Sequence, residues 1–420
     1  MNRMRISSKL WPFGIREEIV TILDIGAHKI ACAILIMNVK NTHASYGGAQ
    51  PKIVGSAIVR ASGIANGKIS NLVAAETCIR RAVAKAESEA GVTAEDVVVT
   101  GSFAGLSAEI FEARIDSNRA ISGRDFDIVA SAAAEHCGSM QRKLLHVFVN
   151  PPEGEGHAGD PAKQRLPSGM EITAISMPLR LSRQISACLK RSLLNSKGFV
   201  AGPIASALST TAPEERRRGV LAVDFGAQST GCGLFLGGVP VFVEVLPWGG
   251  QAITEEIGQT FALRKFEAER LKIKQSSVFD GLQADIDLPF AHGQTGEPIS
   301  KFALNHLVRS KQSYLLKSLY ERLSNAGYSL KNLDVVLTGG GSLLPGMQDL
   351  ACYIFGTDVR LAAPASFGGM NGGGTMSALL GASIYVCRHQ PRQEMDRSPE
   401  PASLGSGYAS RISQWLRASF

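Results

Sequence analysis

No part of this chain is apolar for long enough to cross a bilayer; the longest run, Ile30–Met37, falls far below the roughly 18 residues that a spanning helix needs. The first residues carry Arg3, Arg5 and Lys9 but not the apolar core of a secretory signal. Cysteine is sparse and unordered. The seven, Cys32, Cys78, Cys137, Cys188, Cys232, Cys352 and Cys387, contain no Cys-x-x-Cys pair. An odd count without a framework fits a reducing cytosol and argues against a zinc site. No Ser-His-Asp constellation and no metal-ligand cluster stands out among the eight isolated histidines, and Glu135-His136-Cys137 reads as surface or core of an Ala-rich helix. These absences speak against membrane-spanning, disulfide-stapled, zinc-dependent and triad-hydrolase classes.

Hydrophobic content, by contrast, is ample. With 420 residues, 45% of them hydrophobic, the chain can bury a large core and should divide into two or more domains. A net charge of +7 favours anionic partners in general: phosphate, nucleic acid or acidic lipid. Most of that charge is diffuse. The one dense run, Arg216-Arg217-Arg218, reads as a solvated connector, too short to support nucleic-acid recognition, and no nucleic-acid partner is expected.

One local pattern occurs twice, about half the chain apart. Ile19-Val-Thr-Ile-Leu-Asp24-Ile-Gly26-Ala-His-Lys29 leads into the apolar run from Ile30 to Ile36. Gly219-Val-Leu-Ala-Val-Asp224-Phe-Gly226-Ala-Gln-Ser229 leads into Gly233-Leu-Phe-Leu236. Each reads as a strand that ends in Asp-x-Gly, turns tightly and returns as another strand. A phosphate needs backbone N–H donors at close range, and Gly permits an approach that a Cβ would block. The two hairpins therefore offer Gly26, Lys29, Gly226 and Ser229 toward phosphate. Asp24 and Asp224 are suited to hold Mg2+ through its water shell, because that ion dehydrates reluctantly. Neither turn leads into a helix, so the pattern is not a P-loop or a dinucleotide fingerprint.

A third glycine cluster follows a third apolar strand, Asp334-Val-Val-Leu337-Thr. A bare turn over Gly339, Gly340, Gly341 and Ser342, then a helix from about Met347, can pass over a purine ring and ribose. The order of these three segments resembles that of the actin and sugar-kinase ATPase superfamily. More narrowly, the chain resembles the bacterial cell-division FtsA family over nearly its whole length. Gly63-Ile-Ala-Asn-Gly-Lys-Ile-Ser-Asn71 and Leu246-Pro-Trp-Gly-Gly250 support this. Ala268-Glu269-x-x-Lys272 resembles the family's segment that reaches adenosine, which adds Glu269 and Lys272 to the candidate site. The loop Gly368–Gly374 is left outside it.

The resemblance implies an α/β, actin-like fold of two lobes, each a mixed β-sheet flanked by helices, with an inserted IC subdomain of the FtsA type. The expected divisions are a tail at 1–18, a first lobe at 19–101 and 178–213, and the IC-like insert at 102–177. A second lobe spans 214–249 and 306–387 around a IIB-like insert at 250–305, followed by a linker at 388–407 and a terminal helix at 408–420. ATP and Mg2+ are the implied cofactors. The implied activity is polymerisation of the chain with itself on the cytoplasmic face of the inner membrane at the division site. There it would tie FtsZ to the bilayer by holding the FtsZ tail, and recruit later division proteins. The family places that tail on the second insert, where Arg264, Lys265, Arg270 and Lys274 are available.

At the C-terminus, Tyr408, Ile412, Trp415, Leu416 and Phe420 form one stripe of a helix, with Arg411 and Arg417 off it. A short, basic, aromatic-tipped helix beyond a polar linker is suited to lie flat in the headgroup region of an anionic membrane. Burial of five such side chains supplies on the order of 5 kcal/mol before the cost of folding the helix, and each Arg roughly 1 kcal/mol more on anionic lipid.

The chain also departs from the family pattern. Ala27-His28 stands where small hydroxyl residues are usual, and Ala227-Gln228 where glycines and Thr are favoured. Gly202-Pro203 opens the segment that brings a carboxylate or amide toward the attacking water in related ATPases, and no acid stands there. Nucleotide binding with slow or absent hydrolysis is the expectation. The rival readings are a small-molecule kinase of the same superfamily, which lacks a candidate acid here, and a PilM-like pilus-assembly scaffold, which would have no membrane tail.

Overall fold

The computed structural model of the chain describes residues 17–38, 51–113, 123–150, 170–279, 287–292 and 298–388. The expected membrane helix at 408–420, the linker after Arg388 and residues 1–16 lie outside these. The first strand begins at Glu17, two residues ahead of the expected start.

In the first half, β1 (Glu17–Ile25), β2 (Lys29–Asn38) and β3 (Lys52–Arg60) form an antiparallel meander. A small hairpin of β4 (Ile64–Ala65) and β5 (Lys68–Ile69) leads to α1 (Leu72–Ala90) and β6 (Asp96–Gly101). Asn71 caps α1 by accepting a hydrogen bond from the Ala74 N–H, and Gly91 ends it at φ 70°, a left-handed position that glycine adopts freely. Next, β7 (Ser107–Ala113), α2 (Gly123–Ser139), β8 (Arg142–Val149) and β9 (Met170–Pro178) build a separate antiparallel sheet in the order β7-β9-β8. Val129, Ala130, Ala133 and Cys137 lay α2 on that sheet. Helix α3 (Leu179–Arg191) brings the chain back to β10 (Asn195–Ala201), which completes a sheet ordered β10-β6-β1-β2-β3, and α4 (Gly202–Thr210) follows.

The second half repeats the plan. After α5 (Pro213–Arg218) come β11 (Val220–Phe225), β12 (Thr230–Leu236) and β13 (Val239–Leu246), again an antiparallel meander. Helices α6 (Gly250–Thr260) and α7 (Lys265–Gln275), strands β14 (Asp287–His292) and β15 (Pro298–Ser300), and the long α8 (Lys301–Asn325) intervene. Strand β16 (Asp334–Thr338), a 3-10 turn at Gly340–Leu343, α9 (Met347–Phe355), β17 (Val359–Leu361) and α10 (Ser377–Arg388) complete it. The sheet order is β13-β12-β11-β16-β17, with the same parallel and antiparallel neighbours as the first.

Strand alternation explains why the hairpin strands read as unbroken apolar runs. In β2, Ile30, Cys32 and Ile34 join the core under α1, while Ala31, Ala33 and Leu35 join a second core under α10. Both faces are covered, so both must be apolar. The Arg216–Arg218 run is solvated, as expected, at Arg217 and Arg218 but not at Arg216. It belongs to α5, and Arg216 is buried, its guanidinium donating to the Thr211 carbonyl at 2.5 Å and hydroxyl at 2.8 Å. Local charge density carried no sign of these partners, which only the fold brings together.

The two halves exchange their last helices. Ile204 and Ala207 of α4, which ends the first half, share a core with Val220, Ala222, Phe235 and Val336 of the second sheet. Met376, Leu379, Leu380 and Ala382, at the end of the second half, pack on Ile22, Ala31, Ala33 and Leu35 of the first sheet. Between the sheets α4 and α10 run so close that a Cβ on Gly381 would lie 1.7 Å from the Ala205 carbonyl oxygen. No side-chain rearrangement relieves a clash with backbone. Gly381→Val is therefore expected to cost about 3 kcal/mol, the upper part of the usual overpacking range, with equilibrium urea unfolding as the measurement.

Candidate nucleotide site

The two Asp-x-Gly turns are built alike. The Gly26 N–H donates to the Lys29 carbonyl at 3.1 Å, and the Gly226 N–H to the Ser229 carbonyl at 3.0 Å. A Cβ at either glycine would fall within 2.9 Å of the same carbonyl, so only glycine closes the turn. Asp24 pairs across its hairpin with Ala31, and Asp224 at the same offset with Gly231. On the opposite side each has a threonine neighbour, Thr100 on β6 and Thr338 on β16.

The carboxylates share one electrostatic neighbourhood. Burial raises Asp24 from its ordinary 3.8 to about 6, Lys29 opposes the rise, and the negative Asp224 adds to it. Burial raises Asp224 as well, against the Ser206 hydroxyl that donates to its Oδ2 at 2.5 Å and the charge of Lys29. The Lys29 ammonium donates to the Thr375 carbonyl and lies 3.1 Å from Met376 Sδ, which ties the first turn to the loop before α10. The Thr100 hydroxyl, beside Asp24, is buried without a hydrogen-bond partner. Two undercompensated carboxylates and an orphan hydroxyl fit a hydrated divalent cation. Among the described residues there is no group of three or more metal-ligating side chains, so a cation here keeps most of its water, as Mg2+ prefers.

The third glycine cluster abuts the second turn. Gly339 sits at φ 85°, and a Cβ on it would lie 2.3 Å from Asp224 Oδ1 and 2.6 Å from the Phe225 carbonyl. A Cβ on Gly341 would lie 2.8 Å from the Phe225 Cβ, and Gly340 faces Thr375. Ser342 is buried, with its hydroxyl donating to the Gly339 carbonyl at 2.8 Å, so it serves the turn itself. Glu269 and Lys272, on α7, stand one layer back. The Lys272 ammonium spends three donors at 2.8 Å each, on the Gly250 carbonyl, the Thr254 hydroxyl and Glu269. Burial would raise the Glu269 carboxyl, but hydrogen bonds from Lys272 and Thr254 outweigh it and hold it low, with the nearby His28 adding to the effect. The pair thus props α6, whose Gly250 and Gln251 amides donate to the Gly226 and Ala227 carbonyls at 3.0 and 2.6 Å. His28 itself is exposed.

Asp24, Lys29, Asp224, Gly339 and Gly340 are therefore brought together, Gly26, Gly226 and Ser229 shape the turns, and Glu269 and Lys272 support them. Sequence reasoning passed over Thr100, Ser206 and Thr375, and left the Gly374 loop outside although Gly374 lies against the Gly339 amide. A groove of about 460 Å³ lies between α6 and α8, beside Trp248, Gln312 and Tyr314, with none of the turn residues in its lining.

A family model described as cell division protein FtsA matches residues 221–381. Cell division protein FtsA of Agrobacterium fabrum is 28% identical over 423 residues, covering 96% of each chain. That of Borreliella burgdorferi is 25% identical over 416 residues, covering 95% of this chain and 98% of its own. Among solved structures, the PilM-PilN type IV pilus biogenesis complex aligns at TM-score 0.61 and 17% identity, over 88% of this chain and 98% of that one. MreB5 of Spiroplasma citri bound to ADP aligns at TM-score 0.51 and 12% identity, over 88% and 96%. The fold is actin-like, and the chain is similar to FtsA proteins over nearly its whole length.

The Asp24 shift has a definite sign. Between 3.8 and about 6 the folded chain holds a proton that the unfolded chain has released, so this group's contribution to stability falls as pH rises through that window. In the absence of Mg2+ and nucleotide, Asp24→Asn should raise the unfolding free energy at neutral pH by on the order of 2 to 3 kcal/mol. Urea titrations at stepped pH should show the gain shrinking toward acid.

Proposed function

We propose that this chain is an ATP-binding, actin-like cell-division protein that works as a polymer on the cytoplasmic face of the cell membrane. The observation that carries the nucleotide half of this reading is the pair of Asp-x-Gly hairpins in one register, coupled through Asp24 and Asp224 and closed by Gly339. In this reading the turns at 26–29 and 226–229 take the phosphates, and Asp24 and Asp224 hold the water shell of Mg2+. Glycines 339–341 pass beside ribose and base. Bound Mg2+ would neutralise phosphate charge. The residues of the chain position and exclude. Helix α4 brings Ser206 to Asp224 and opens with Gly202-Pro203, without an acid to orient a water, which favours slow or absent hydrolysis.

The division half rests on the similarity to FtsA and on the C-terminal pattern. One amphipathic helix at 408–420 binds lipid weakly, and many on one polymer bind together, so assembly and attachment are coupled by avidity. A docking face for FtsZ fits the outer side of α7 and the start of α8. Phe266, Ile273 and Phe302 are largely exposed there, beside the exposed Arg264, Lys265, Arg270 and Lys274. An apolar face ringed by cations suits the acidic, partly apolar tail of a partner. Recruitment of later division proteins is part of the same reading.

Two measurements test the halves separately. Titration calorimetry with ATP and Mg2+ should detect binding that Gly339→Val weakens by at least roughly a hundredfold, since a side chain there strikes Asp224 and a valine resists its left-handed backbone. No uptake by the unaltered chain would remove the nucleotide reading. Deleting 408–420 should reduce sedimentation with anionic vesicles by roughly tenfold or more; unchanged sedimentation would favour a scaffold without a membrane tail.

A further inference from the structure

The second phosphate turn carries Gln228 where backbone alone would let a phosphate approach, and the structure gives that side chain a definite task. The Asn66 N–H, at the tip of the β4–β5 hairpin in the first lobe, donates to Gln228 Oε1 at 2.9 Å. The other end of the same amide, Gln228 Nε2, donates to Gln251 Oε1 at 2.7 Å, and Gln251 Nε2 donates to Glu255 at 2.7 Å. One glutamine thus bridges the two lobes at the mouth of the turn.

Both ends of the bridge are built platforms. Asn66 is left-handed at φ 48°, a position that asparagine tolerates better than most residues, and it aims its N–H outward. The next residue, Gly67, lies so close to the β6–β7 link that a Cβ would sit 2.4 Å from the Ser102 carbonyl, and its own carbonyl accepts from the Ala104 N–H at 3.2 Å. On the other side, Gln251 is held at the start of α6 by its amide bond to Ala227. A bond between two such anchored groups resists separation of the lobes without first having to order either partner.

We propose that Gln228 is a cross-lobe clasp that holds the cleft shut at its phosphate end. This rests on the reading of the cleft as a nucleotide site for its meaning, but not for its test. Closure is then a property of the protein, and a nucleotide enters or leaves when the Asn66–Gln228 bond opens. A single neutral hydrogen bond contributes about 1 kcal/mol, which corresponds to roughly fivefold in the open-to-closed ratio.

Amide hydrogen exchange of the nucleotide-free full-length chain reads that ratio at the clasped group itself. In Gln228→Ala, exchange of the Asn66 amide should accelerate about fivefold while the amides of α1 keep their protection. Gln228→Glu retains the acceptor for Asn66 and should keep most of the protection, which separates the clasp from a general loosening of the turn. An Asn66 rate in Gln228→Ala equal to that of the unaltered chain overturns the proposal. ATP titration of the unaltered chain is run alongside. Faster exchange with no ATP uptake sinks the nucleotide reading and leaves the clasp standing, and ATP uptake with unchanged exchange sinks the clasp alone.

Discussion

Everything else in the fold depends on the contact between α4 and α10, where backbone meets backbone at Ala205 and Gly381. The seam is made of small residues because each helix has left its own half to cover the other half's sheet. Gly202, Ala205, Ser206 and Ala207 keep α4 thin enough to lie between two five-stranded sheets. A bulky residue in this seam would hold the sheets apart, and the two hairpins would no longer face each other across the cleft.

The same exchange equips the site. Because α4 crosses to the second sheet, it delivers Ser206 to Asp224. Because α10 crosses to the first, the loop before it meets Lys29 through Thr375 and Met376. Burial raises both carboxyls, the charge of Asp224 raises Asp24 further, and Lys29 opposes the rise at each. Such a pair is unfavourable when left alone. The Lys29 charge and the Ser206 hydroxyl offset only part of that cost.

Much of this was legible before any coordinates. Asp24-x-Gly26 and Asp224-x-Gly226 could be read as twin turns because turn chemistry is local, and Gly339–Gly341, by itself only a loop, because it follows those two hairpins in order. Thr100, Ser206 and Thr375 were not legible. Their partners are fixed by sheet register and by the crossing helices, and Lys29 and Thr375 are 346 positions apart. Arg216 misled for the same reason: three arginines in a row look solvated until Thr211 is seen to fold back over one of them. Glu269 and Lys272 entered the candidate site by resemblance alone, and their hydrogen bonds brace α6.

The order of strands, turns and glycines was thus settled by sequence alone, since each of these elements is specified by its own residues: two lobes of one plan, hairpins with an acid at their tips, and a resemblance to FtsA. Tertiary structure decided which groups meet. Whether an acid stands beside a lysine, whether a glutamine reaches the opposite lobe and whether an arginine is buried all depend on long-range packing. A local pattern cannot encode these, because burial and hydrogen-bond partners are properties of the space between elements.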